Sequence, residues 1–308
     1  MIVTVTMNAA IDKMYSVARN QPGEVLRVRE CVATPGGKGL NVARVIASMG
    51  ESSLATGLVG GHSGRWVLEA LDAQGIAHDF EHVAGETRTC INIVEEDGRQ
   101  TEFLEPGFEV SGEGLERFMQ RYAGLLGRCD MVTISGSVPR GVPTDTYARM
   151  VEAARRANVP VLLDSSSALL SAGVKACPTL IKPNMDEIAQ LLGRPVSPDD
   201  APAAARALHE GGIDYVVISM GRRGSLMVCA QGAFRATPPR IEAVSATGCG
   251  DSMIAGLAIA LLRGYEPERM LRYATAVSAA NALEKGTGCV VREKAEALLE
   301  GVQVETLN

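Results

Sequence analysis

Short apolar runs alternate with helix-patterned stretches along most of this 308-residue chain, and that alternation restricts the fold more than any other feature. Strand-like runs fall at Met1 to Met7, Ser53 to Val59, Asp130 to Ser135, Pro160 to Asp164, Thr179 to Lys182 and Tyr215 to Ser219. Helical patterns cover Gly39 to Met49, Ser63 to Gln74, Pro143 to Ala157, Asn184 to Leu192 and Asp199 to His209, and the stretch from Asp251 to Glu300 is mainly helical. Strands and helices in turn predict an α/β fold, a mostly parallel sheet with helices on both faces. Two regions interrupt the pattern, at about 14–34 and 87–105, the second being a hairpin with Asp97-Gly98 at its tip. They predict a small second sheet, a lid over the carboxyl ends of the parallel strands, where open α/β sheets bind ligands.

Composition removes several function classes. The 36 acidic and 30 basic residues give a net charge of −6 and form no block, which is not the basic footprint of a nucleic-acid binder. Seven scattered cysteines form no Cys-x-x-Cys pair, so neither a disulfide framework nor a structural zinc site is expected, and a reducing cytoplasm is. The longest apolar candidate, Ser252 to Leu262, is too short for a membrane span, and the N-terminal residues lack a leader pattern, so no membrane partner is expected. His78 and His82 have ligand spacing only on a helix, whereas their stretch reads as a strand.

Two glycine-rich segments open helices. In Ser245-Ala246-Thr247-Gly248-Cys249-Gly250-Asp251, small residues let the backbone turn into a helix whose first amides are unpaired and can face an anion. Asp251 beside such amides suits a phosphoryl transfer in which it takes the proton of the attacking hydroxyl. An aspartate favoured by the helix dipole reads equally well. The other segment, Pro35-Gly36-Gly37-Lys38-Gly39-Leu40-Asn41, adds a cation at its mouth. Neither matches a Walker A loop, and no Gly-x-Gly-x-x-Gly follows the first strand.

Taken together and in this order, the two segments resemble the paired signatures of the PfkB carbohydrate kinases, which have the ribokinase-like fold. Lys182-Pro183-Asn184-Met185-Asp186-Glu187, lying between them, is similar to that family's Asn-x-x-Glu motif. The resemblance implies a single kinase domain over residues 1–308 with the lid strands inserted, using ATP and magnesium. It implies Asp251 as catalytic base, the amides of Gly248, Cys249 and Gly250 as an anion hole, and Asp12, Gly37 and Asn41 as sugar ligands. Asn184 and Glu187 would act on magnesium through water, although the same spacing is an ordinary capping box. Lys182, Ser219, Gly221, Gly224 and Asn281 would stand on the nucleotide side.

The substrate class rests on cations, because a sugar phosphate needs positive groups at its far end. Lys38, Arg88 and Arg140 occupy positions where the phosphosugar branch of the family carries substrate contacts. The segments Gly85 to Ile91, Gln100 to Glu105 and Asn281 to Gly288 look most like tagatose-6-phosphate kinases, with 1-phosphofructokinase and 6-phosphofructokinase as alternatives. A kinase of an unphosphorylated sugar and a catalytically silent sugar-phosphate sensor remain as further readings. Relatives of this kind pair through their lids, which implies a homodimer. Cys249 departs from the family's usual Ala or Ser and is either an oxidisable thiol or an inert buried one.

Overall fold

Burial of every residue of β1 (Ile2–Thr6) marks it as an interior strand, covered on both faces and paired on both edges. After it the computed structural model, which describes residues 1–307, places β2 (Ala10–Val17), β3 (Glu30–Gly36), α1 (Lys38–Ser48), β4 (Ser53–Gly60) and α2 (Gly61–Ala73). Then come β5 (Ala77–Val83), β6 (Arg88–Glu95), β7 (Gln100–Leu104), α3 (Gly112–Leu126), β8 (Met131–Ser135) and α4 (Thr146–Arg156). The chain continues with β9 (Val161–Asp164), α5 (Ser167–Lys175), β10 (Leu180–Ile181), α6 (Met185–Leu192), α7 (Ala201–Glu210) and β11 (Tyr215–Ser219). It ends with β12 (Ser225–Cys229), β13 (Gly232–Thr237), α8 (Cys249–Leu262), α9 (Pro267–Ala282), α10 (Arg292–Leu298) and β14 (Gln303–Leu307).

Ten strands form the main sheet in the order β14-β13-β12-β11-β10-β9-β8-β1-β4-β5, parallel from β11 to β5 and antiparallel beyond β11. Alternation along each strand feeds two cores, as the two-residue period of a strand requires. Val132 and Ile134 of β8 pack with Phe118 and Tyr122 of α3 and Tyr147 and Met150 of α4, while Met131 turns to the face covered by α1, α8 and α9. Helix α8 reads as a continuous apolar run because it is buried from Asp251 to Ala260. No helix among the described residues is long and apolar enough to cross a membrane.

The interrupting regions form a separate four-stranded sheet in the order β3-β2-β6-β7. β6 and β7 make the expected hairpin, and β2 pairs in parallel with β6 along its whole length. The lid strand starts at Ala10 rather than near residue 14, because the buried Ala10 and Ile11 already pair with β3 and β6. Asp12 therefore lies within a lid strand. Sequence patterning did not anticipate α3, α5 or the C-terminal strand β14, which closes the sheet against β13.

The packing of β1 against β4 depends on one glycine. Gly57 has φ +146°, and a Cβ there would lie 1.9 Å from the carbonyl oxygen of Thr6, a backbone atom with no room to move. Gly57→Ala is expected to lower Tm by about 5 °C or more, since strained backbone and overlap add in a core position. A melt indistinguishable from wild type would show that the strands can separate there at no cost.

Candidate active site

The parallel strands deliver their last residues to one edge of the sheet, and there a cleft of about 830 Å³ opens beneath the lid. Thr6, Ser135, Asp164, Lys182 and Ser219, each at or just past the end of a sheet strand, line its floor. The N-terminal turns of α1 and α8 supply Gly37, Lys38 and Asn41 on one side and Gly248, Gly250 and Asp251 on the other. Asp12 and Arg88 descend from the lid strands.

Helix α8 can start where it does because Gly248, its N-cap, is left-handed at φ 82°. A Cβ at Gly248 would also meet Gly288 N at 2.7 Å, so glycine lets the turn lie against the loop after α9. The amides of Gly248 and Gly250 find no protein acceptor among the described residues, as an anion site requires. The amide of Cys249 does not join them: it donates to Ala246 O at 3.3 Å. The Cys249 thiol contacts Asn281 Nδ2 at 3.5 Å, and burial pushes its pKa up, which disfavours the reactive thiolate.

Asn281 is fully buried in α9 and does not reach the cleft. Its amide donates to Thr247 O at 2.9 Å and accepts from Cys289 N at 3.2 Å, tying the glycine-rich turn before α8 to the neighbouring loop. In the structure Asn281, which the family resemblance implies on the nucleotide side, holds a bracing position behind the Gly248 turn.

Asp251, in the first turn of α8, is 6% exposed and accepts a 2.7 Å hydrogen bond from Asn41 Nδ2. Burial raises its pKa to about 6, against the pull of Lys38, Lys182 and the Asn41 hydrogen bond. That suits a base operating near neutral pH, because it is ionised yet retains proton affinity. Asp164 at the end of β9 lies 3.6 Å from Lys38 Nζ and 3.3 Å from Lys182 Nζ. Both of its buried oxygens lack a well-directed hydrogen bond. Asp164 holds the Lys38 ammonium in its charged form, raising its pKa. Sequence reasoning placed Asp164 only as a strand end, although an acid closing the apolar run Val161-Leu162-Leu163 at the carboxyl edge of a parallel sheet was a readable signal.

Under the lid, Arg88 donates to Glu105 O and Asn8 O, each at 3.1 Å. Nη1 and Nη2 each keep a second N–H, and Arg88 lines the cleft, while its Nε is buried with no acceptor. Asp12 faces Arg88 and Arg44 and receives the Gly37 amide, while burial raises its pKa. Arg140 is not brought to this end: it is exposed and its carbonyl bonds Val110 N, because the loop after β8 turns it away from the cleft wall.

On the far side of the floor, Asn184 and Glu187 form a full capping box at the start of α6. Both line the cleft, and the second carboxylate oxygen of Glu187 stays outside the box. Ser219 lines the cleft and bridges to Asn184 through its backbone, whereas Gly221 and Gly224 shape the turn between β11 and β12 outside the wall. Among the described residues no group of His, Cys, Asp and Glu forms a metal cluster.

Comparison with known proteins agrees with this geometry. The family model described as pfkB family carbohydrate kinase matches residues 5–293. Phosphofructokinase-2 from Escherichia coli in complex with fructose-6-phosphate is 26% identical, with a TM-score of 0.89 over 97% of this chain and 98% of that one. A Thermotoga maritima protein described as a possible 1-phosphofructokinase is 28% identical, with a TM-score of 0.91 over the full length of both chains. Arabidopsis thaliana ribokinase complexed with ribose and ATP, at 22% identity and a TM-score of 0.77 over 97% of this chain and 98% of that one, shares the ribokinase-like fold. The chain belongs to the pfkB family of carbohydrate kinases, phosphotransferases whose acceptor is an alcohol group.

Proposed function

We propose that this protein transfers the γ-phosphoryl group of ATP to a hydroxyl of a ketohexose monophosphate, with tagatose 6-phosphate as its preferred acceptor. The observation that carries this reading is Arg88, a guanidinium anchored by two backbone carbonyls with a second N–H left on each of those nitrogens, in the cleft that also holds Asp12 and Asp251. An unphosphorylated sugar would have no group to match that cation.

In the reaction the acceptor O–H bond breaks and its proton passes to the carboxylate of Asp251. The acceptor oxygen bonds the γ-phosphorus in line as the bridging bond to ADP breaks. The free amides of Gly248 and Gly250, together with Lys38 and Lys182, face the charge that builds on the transferred group. Asn184 and the free oxygen of Glu187 would hold a hydrated magnesium ion through its waters, with Asp164, ion-paired to Lys38 and Lys182, as the buried carboxylate of the same cleft. Magnesium there would neutralise charge on the ATP phosphates. The exposed Phe103 and Leu104 of the lid support pairing of two lids in a homodimer, and seven cysteines that all stand free support a reducing, cytoplasmic setting.

The preference within the phosphosugar class rests on the lid segments Gly85 to Ile91 and Gln100 to Glu105 and on Asn281 to Gly288. The phosphofructokinase neighbours support fructose 6-phosphate and fructose 1-phosphate as alternatives. ADP release with magnesium-ATP and low, equal concentrations of tagatose 6-phosphate, fructose 1-phosphate, fructose 6-phosphate and fructose is the test. The expected result is the highest kcat/KM for tagatose 6-phosphate and at least about 100-fold less for fructose. Efficient turnover of fructose alone would overturn the phosphosugar assignment.

A further inference from the structure

Arg44, in the second turn of α1, belongs to no motif that assigned a role, and its setting is unusual. The residue is partly buried, yet its directed hydrogen bonds all go to uncharged oxygens. Nη1 donates to Pro35 O in β3, and Nη2 donates to Asn41 Oδ1 at 2.5 Å and to Thr287 O at 3.0 Å. Asp12 and Asp251 compensate its charge only from a distance, and desolvation lowers its pKa. A cation held this way is costly unless its geometry serves something.

The chemistry of the guanidinium determines what it does to Asn41. An arginine has five N–H donors and no acceptor, so the Asn41 atom that faces it must be the oxygen. The amide nitrogen is then the atom left to face Asp251, which it does at 2.7 Å from Oδ2. Turned by half a rotation, the same amide would set its oxygen against the carboxylate, a pairing that is repulsive while Asp251 is ionised.

We propose that Arg44 is a positioning residue for phosphoryl transfer, which locks the amide of Asn41 so that a donor always faces Asp251. With Oδ2 held, Oδ1 of Asp251 is the oxygen left to take the acceptor's proton. The bonds to Pro35 and Thr287 register this pair with the lid strand β3 and with the loop on which Gly248 packs. The inference rests on the reading of Asp251 as base given above.

Other charged groups around Asp251 are Lys38 from α1, Asp164 at the end of β9 and Lys182 after β10, and substitutions at Arg44 leave all three in place. The test is kcat and KM from pH 5 to 9 with magnesium-ATP and tagatose 6-phosphate, or fructose 6-phosphate if that is the better acceptor. Arg44→Met is expected to lower kcat about 10- to 100-fold with the sugar-phosphate KM changed less than about threefold. The acid limb of kcat/KM should move to higher pH, because a lost donor and a lost positive charge both favour protonated Asp251. Arg44→Lys, which keeps a donor for Asn41, should recover part of kcat. Combining Arg44→Met with Asn41→Ala should be no slower than Asn41→Ala alone, since the two act through one contact.

Wild-type kcat and an unmoved acid limb in Arg44→Met would overturn the proposal, as would fully additive losses in the double variant. A lower Tm with kcat and the limb unchanged would mark Arg44 as structural only. If Arg44→Met does not fold, Arg44→Gln carries the same expectations and the same overturning results, because Gln can turn either atom to Asn41. Failure of the base reading shows separately, as near wild-type turnover in Asp251→Asn.

Discussion

Asp251→Asn should lose about three orders of magnitude in kcat while the KM for sugar phosphate changes only a few-fold. A positioned general base contributes roughly 10²- to 10⁴-fold, and an amide cannot take the acceptor's proton. Asn also keeps the size and packing of the side chain, so the loss reports chemistry. In the wild type, kcat/KM should fall as pH drops through about 6, where burial places the carboxyl. The stability consequence has the opposite sign from that of a paired surface acid. Between the ordinary value of 3.8 and about 6 the folded protein holds a proton that the unfolded chain has lost, so stability declines as pH rises through that window. The variant, free of a buried charge, is expected to melt no lower than wild type at pH 8. Retention of near wild-type turnover by Asp251→Asn would remove the base assignment.

The second large effect is expected at Arg88. Its Nη1 and Nη2 donate to Glu105 O and Asn8 O, which fixes the guanidinium plane beneath the lid and leaves the second N–H of each for a ligand. A hydrogen bond to a charged group contributes about 1.5–3 kcal/mol, so Arg88→Ala should raise the KM for sugar phosphate about 10-fold or more. kcat should stay within a few-fold, because Asp251 and the glycine-rich turn before α8 are untouched. The same variant should handle free fructose as the wild type does. An unchanged KM for sugar phosphate would sever Arg88 from substrate recognition.

Much of this site was legible in residue patterns. The glycine-rich turns before α1 and α8 announced two helix N-termini, and the structure brings Lys38, Asn41, Gly248 and Asp251 to one cleft. The capping-box reading of Asn184 and Glu187 holds in the folded chain, and both residues still face the cleft. What could not be read was contact between distant segments. Asn281 stands on the nucleotide side by family resemblance alone, and only tertiary packing shows its amide bonded to Thr247 and Cys289. Asp164 gains meaning only when α1 and the end of β10 bring two lysines to it. Arg140 looked equivalent to Arg88 as a charge, yet loop direction separates an exposed arginine from one held by two carbonyls. Arg44 was indistinguishable from a solvated residue of an amphipathic helix until its acceptors were known.

The lid follows the same division. The hairpin at Asp97-Gly98 was visible from local turn chemistry. The parallel pairing of β2 with β6, which carries Asp12 beside Arg88, joins residues far apart in sequence and leaves no local signature.

The identity of the acceptor and the fate of the phosphoryl group are both read by ³¹P NMR of a turnover with magnesium-ATP and tagatose 6-phosphate. Loss of the γ-phosphorus resonance with matching growth of ADP and of a second phosphomonoester resonance on the sugar, absent in Asp251→Asn, is the predicted result. Release of inorganic phosphate with no sugar bisphosphate would contradict it.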